Sequence, residues 1–190
     1  ISFVVYDGFF ERCSKVVNLV IDNFDGGYQA GKYFRELGHK KALCISDNYV
    51  CMDKVRIEGF KNAFAPGETF FWRIPEFKKG RDFFYEKKLP ELLSENITAV
   101  FAVSDYYALD FMAFLQEKGV EIPGDIQVIG FDDSIVSKVS NPSLTTVRQD
   151  PMLRAKTAIE CIEAMRDGGS CNPEIILPVE LIKRQSTGEL

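Results

Sequence analysis

The 190 residues carry 23 Lys and Arg against 28 Asp and Glu, a formal net charge of −5, and 46% of them are hydrophobic. That is enough for one large domain or two smaller ones sharing a hinge. No Lys/Arg run is long enough to track a phosphate backbone, so this stretch is not expected to grip nucleic acid by itself, and no apolar stretch approaches the ~18 residues of a membrane span.

Along the chain, β-branched runs at 2–6 and 17–21 read as strands. A helix is expected over 25–37, with Tyr28, Gly31, Phe34 and Leu37 at helical spacing and Gly38 as a left-handed cap. A strand at 42–46 leads to a helix at 53–64, with Val55, Ile57, Phe60 and Phe64 inward and Pro66-Gly67 as its stop. A strand at 69–74 precedes a helical stretch from 80 to about 95, which Pro90 should break or restart. The run 98–103 is a buried strand. Asp105 reads as the N-cap of a helix that reaches Lys118 and closes at Gly119. After a strand at 126–130, Pro151 opens a helix to Arg166 with Met152, Ala155, Ile159 and Ile162 on one face. The end, 175–183, is extended and interrupted at Pro178.

Strands alternating with helices of ten or more residues imply parallel βαβ units, and the unbroken apolar character of the central strands implies helices on both sheet faces. The fold class is therefore α/β with a doubly wound parallel sheet. Only 7–16 separates the two opening strands, which is short for a packed helix. That spacing fits a sheet whose other strands lie upstream of Ile1.

The most informative stretch is Val128-Ile-Gly-Phe-Asp-Asp-Ser134, followed by Pro142-Ser-Leu-Thr-Thr-Val-Arg-Gln149. A buried strand ends in two acids, and a second extended run ends in an Arg-Gln pair. Ligands of open α/β sheets bind outside the carboxyl ends of the strands. Acids, an amide and a guanidinium delivered there suit a small ligand rich in hydroxyl or amine groups. The pattern speaks of binding rather than catalysis. No nucleophile elbow is present, and Gly26-Gly27 lacks the spacing of a nucleotide-binding fingerprint. The five cysteines form no Cys-x-x-Cys pair and read as free thiols of a reducing cytosol, and the single histidine, His39, reads as a turn residue. No metal site, cofactor or enzymatic activity is expected.

Eight motifs occur in order: 20–28 (VIDNFDGGY), 37–41 (LGHKK), 56–60 (RIEGF), 99–105 (AVFAVSD), 119–125 (GVEIPGD), 128–133 (VIGFDD), 142–149 (PSLTTVRQ) and 181–186 (LIKRQS). Together they resemble the effector-binding core of the lactose-repressor (LacI-type) family of bacterial transcription regulators, from about Val4 to Ser186. The resemblance implies a type I periplasmic-binding-protein-like module of two α/β lobes with a ligand cleft between them. One lobe would be nearly complete (22–148 and 180–190) and the other partial (1–21 and 149–179). The helix-turn-helix DNA-binding head of the family is absent from this sequence.

The resemblance also implies site residues. Asp132 stands where the family places an acid that bonds effector hydroxyls or ring nitrogens. Arg56 stands where it places a ligand-gripping guanidinium, and its partner Phe60 at i+4 turns it toward the lobe. Asp133 is expected to bond backbone amides of its loop. Ser104 occupies a site where Asn is common, Gln149 sits at the hinge crossover, and Asp7 is a candidate from the partial lobe. Trp72 is either an aromatic wall against which a ring stacks or plain core, with Phe77 as its rival. The implied function is the effector-binding, dimer-forming part of a cytoplasmic regulator, a repressor that senses a sugar or related metabolite and acts on operator DNA. The alternative is an extracytoplasmic solute-binding protein of a transport system.

Overall fold

In the computed structural model, residues 3–6, 16–48 and 51–188 are described. Asp7 and Cys13 lie outside them. The chain divides into two units, one of residues 1–22 and 149–179, the other of 23–148 and 180–190.

The smaller unit holds three strands, β1 (Phe3–Tyr6), β2 (Val16–Ile21) and β8 (Glu174–Leu177), in the order β1-β2-β8 and parallel throughout. Its helix is α6 (Pro151–Arg166), capped by the Asp150 carboxylate, which accepts from the amides of Met152 and Leu153. Ala158 and Cys161 are the buried residues of α6. The expected apolar face points outward instead: Met152 is 77% exposed, and Ile159 and Ile162 are also exposed.

The larger unit is built on a six-stranded sheet. In chain order its elements are α1 (Asn23–Glu36), β3 (Lys41–Ser46), α2 (Cys51–Phe64), β4 (Glu68–Arg73), α3 (Lys78–Ser94) and β5 (Ala99–Ala102). There follow α4 (Asp105–Glu117), β6 (Gln127–Asp132), the short α5 (Ile135–Val139), β7 (Thr145–Gln149) and β9 (Val179–Ile182), with the last residue of β7 and the first of β9 falling in the smaller unit. The strand order is β4-β3-β5-β6-β7-β9, and every pairing from β4 to β7 is parallel. Burial is continuous along β3, β5 and β6, as a sheet covered on both faces requires. One side of the core gathers Leu43, Ile45, Val100, Phe111 and Leu115.

Two expectations about elements are corrected. Pro90 lies inside an uninterrupted α3. The carbonyl that its missing N–H would have served belongs to Glu86, and both residues lie on an exposed face of the helix, where the lost bond is least costly. Asp105 is not the N-cap of α4. Ser104 is, its hydroxyl accepting from the Tyr107 amide at 3.4 Å.

Helices α1 and α2 cross closely because three glycines let them. A Cβ on Gly27 would stand 1.8 Å from the Arg56 carbonyl oxygen, and one on Gly59 would stand 2.0 Å from that of Phe24. At Gly31 the corresponding distance to the Phe60 carbonyl is 2.3 Å. Gly27, at the start of α1, therefore serves the helix crossing and brings the backbone of Arg56 to the first turns of α1, while its neighbour Gly26 lies against the Phe131 ring.

Candidate functional site

β4 and β5 lie on opposite sides of β3, so the winding of the sheet reverses at β3/β5. At such a reversal the loops diverge and leave a crevice at the carboxyl ends of the strands. Arg56, on the helix that follows β3, reaches across it. Its Nε donates to Asn23 Oδ1 at 2.8 Å and its Nη1 to the Val103 carbonyl, just past β5, at 2.6 Å. The guanidinium lies over the Phe131 ring of β6, 3.8 Å from its centroid. Arg56 is thus fixed to α1, to the end of β5 and to β6. Asp132 follows Phe131 directly, so both residues belong to one edge of one sheet.

The backbone at that edge is strained. Asp132 has φ +125° and Asp133 φ +53°, conformations that L-residues rarely adopt and that cost on the order of 1–3 kcal/mol each. Side chains hold the turn. Asp133 does not bond loop amides, as the sequence led us to expect. It accepts from Arg148 Nε at 2.8 Å and from Arg184 Nη2, with Lys138 Nζ at 3.6 Å. Burial alone would push its carboxyl up, but the Arg184 and Arg148 hydrogen bonds bring it below the ordinary carboxylate range. Asp105 secures the other side, accepting from the Ser134 amide at 2.8 Å and the Ser134 hydroxyl at 2.7 Å. It is fully buried over Gly130, where a Cβ would stand 2.4 Å from its Oδ1. Burial pushes the Asp105 carboxyl up, opposed by its bonds from Thr146 and Ser134.

Two residues that the sequence did not single out as site residues join this edge. Asp53, three residues before Arg56 on α2, accepts from Ser46 Oγ at 2.6 Å, at the end of β3. Burial raises its carboxyl, against the Ser46 hydrogen bond and the Arg56 charge. Burial, and then the nearby Asp47 carboxylate, push the Tyr107 phenol up, so it stays neutral. The i, i+3 spacing of Asp53 and Arg56 was the available signal, since such pairs share a helix face. The spacing does not show that the face looks onto a sheet edge.

The other candidates fall as follows. Ser104 is at this edge, partly exposed, and spends an acceptor on its cap. Trp72 is 5% exposed, edge-on to Phe84 and Phe111, so the indole packs as core and presents no open face. Phe77, its rival, is 77% exposed. Gln149 belongs to the smaller unit, where its Oε1 accepts from Arg154 Nη1 at 2.7 Å. Two shallow surface hollows on the larger unit, one between α4 and α5 and one around Ile122 and Pro142, include neither Arg56 nor Asp132. Among the described residues no group of three or more His, Cys, Asp or Glu is placed to hold a metal ion, and no helix is long and apolar enough to cross a membrane. His39 is buried, its Nδ1 2.7 Å from Thr98 Oγ1, and burial lowers its pKa.

Residues 32–187 match the model of the periplasmic binding protein-like domain. The chain is 33% identical over 186 residues to the HTH-type transcriptional repressor PurR of Vibrio atlanticus, covering 93% of this chain and 55% of that protein. The chain spans about half the length of the curated relatives it matches, which are HTH-type transcriptional regulators. Its fold superposes with a TM-score of 0.83 on a LacI family regulator of Enterococcus faecalis with bound ribose (27% identity, all of this chain and 70% of that one). It superposes with a TM-score of 0.84 on a periplasmic binding protein/LacI regulator of Alkaliphilus metalliredigens complexed with D-xylulofuranose (28% identity, 98% and 71%). A parallel sheet whose winding reverses beneath a pinned arginine, and a match running through most of its length, place this chain in the periplasmic binding protein-like domain family, in the form that LacI-type regulators carry.

Proposed function

We propose that this chain is the effector-binding and dimer-forming part of a LacI-type transcription regulator, a repressor, that senses a small sugar in the cytoplasm and changes its grip on operator DNA. The observation that carries this reading is the placement of Arg56, beside the winding reversal, and Asp132, at the end of β6, on one carboxyl edge of one sheet. A guanidinium donates only and a carboxylate accepts only, so the pair reads vicinal hydroxyls from both sides. The ribose and D-xylulofuranose held by the two structural relatives support a sugar-sized effector. The relatives are regulators, which favours this reading over a transport protein.

Arg56, Asp132 and Ser104 are the contacts proposed from the larger unit. Gln149 and Asp7 are carried by the family resemblance alone. The effector acts by shifting a conformational population, which requires that it bind one state better than the other. A thermal-shift panel of free sugars tests the reading. A sugar at 100 times its Kd stabilises by about 2.7 kcal/mol, which raises Tm by roughly 5–10 °C for a chain of this size. A panel in which no sugar moves Tm contradicts the proposal.

A further inference from the structure

In the smaller unit, the chain turns back at the end of α6 and brings two cysteines together. We propose that Cys161 and Cys171 are a reversible modification site: a dithiol that a low-molecular-weight disulfide, such as oxidised glutathione, closes into an intramolecular disulfide clamping the end of α6.

The pairing follows from how α6 stops. The Asp167 amide donates to the Glu163 carbonyl at 3.0 Å, and Gly168 then adopts φ +83°, which turns the chain back. The Gly169 amide donates to the Ala164 carbonyl at 2.9 Å, so the returning segment runs along the last turns of the helix. Two residues further on, Cys171 reaches Cys161: its Sγ stands 3.5 Å from the Cys161 carbonyl oxygen. The Cys161 sulfur hangs from the same Cα as that carbonyl, so side-chain rotation is the movement that closes the pair.

The two thiols are unequally placed. Cys161 is 5% exposed, and burial, then the neighbouring Cys171, push its thiol up to about 11. Cys171 is partly exposed and is the one that meets solutes. Its thiolate attacks one sulfur of glutathione disulfide, breaking that bond and releasing one glutathione. Cys161 then loses its proton and attacks the Cys171 sulfur, which forms the protein disulfide and releases the second glutathione. Two protein thiols are oxidised by two electrons, and one small disulfide is reduced to two thiols that carry the two protons. In a reducing compartment such a bond is transient, as a redox signal requires.

The test incubates the wild-type protein with oxidised glutathione, blocks the remaining thiols with N-ethylmaleimide, and maps the unreduced peptides by mass spectrometry. The exposed Cys51 serves as the internal control for the oxidant. Cys51 should take up glutathione, while Cys161 and Cys171 appear in one linked peptide from a single chain. Dithiothreitol should return both thiols. Cys161→Ser should hold glutathione on Cys171, because the thiol that would displace it is gone. Cys171→Ser should leave Cys161 reduced. Closing this loop should raise the Tm of the wild type by roughly 5–10 °C, a rise that neither Ser variant shows.

A protein in which Cys51 carries glutathione while Cys161 and Cys171 stay unlinked overturns the proposal. So does a link that forms only in urea or only between two chains. A link that leaves Tm unchanged overturns the clamp. The peptide map and the Tm of oxidised and reduced wild type decide these points even if a Ser variant does not fold.

Discussion

Asp133 shows how one side chain can hold a strained turn. Its carboxylate is 4% exposed and sits among Arg148, Arg184 and Lys138, drawn from β7, the C-terminal segment and α5. Unfolded, an aspartate titrates near 3.9; folded, Asp133 titrates lower. Its contribution is therefore fully present above about pH 4 and is lost as pH falls through the lower folded value. Asp105 has the opposite sign. Its folded pKa is raised, so its share of stability is present at low pH and is lost as pH rises from about 4 through that raised value. Asp133→Asn should lower the unfolding free energy by about 2–4 kcal/mol at pH 7, since it leaves partly buried guanidinium groups unmatched. The deficit relative to wild type should shrink toward pH 3. Urea denaturation at both pH values measures it, and a deficit that stays constant with pH contradicts the role given to Asp133.

At the scale of elements, the α1–α2 crossing is what places Arg56. Gly27→Ala would drive a methyl group into the Arg56 carbonyl. The helices must then part, at a cost of about 1–3 kcal/mol or more, which lowers Tm by roughly 2–4 °C per kcal/mol. Sugar affinity should fall together with stability, because the guanidinium moves with its backbone. Gly188→Ala, with nothing near the new Cβ, is the control and should change neither. Scanning calorimetry and titration of both variants check this, and a Gly27→Ala protein with wild-type Tm would contradict the close crossing.

The same elements show how far the sequence could be read. The βαβ alternation was legible because buried strands and capped helices leave local marks: the unbroken apolar run of β5, and Gly38 and Gly119 at positive φ. That Arg56 turns inward toward the sheet was legible from Phe60 one turn on. The Arg184–Asp133 pair was not, because 51 residues separate partners that only the sheet brings together. Asp105 was misread for a related reason. A Ser-Asp pair before a helix offers two caps, and the choice was made by Gly130 and Ser134, which no local pattern connects to it. Trp72 was ambiguous because one aromatic in an amphipathic strand carries no sign of which face is covered. The outward apolar face of α6 was missed because helical periodicity reports that a face is apolar and not what lies against it.

At the scale of the molecule, the central claim is that a sugar binds at the carboxyl edge of the larger unit, where Arg56 and Asp132 read its hydroxyls. The most direct measurement is calorimetric titration, with a free sugar that shifts Tm, of the wild-type protein and of Arg56→Ala and Asp132→Ala. Each variant should stay folded by circular dichroism and lose about 1–3 kcal/mol of binding free energy, since each removal leaves polar groups of the ligand without partners. Wild-type affinity in both folded variants would contradict the claim.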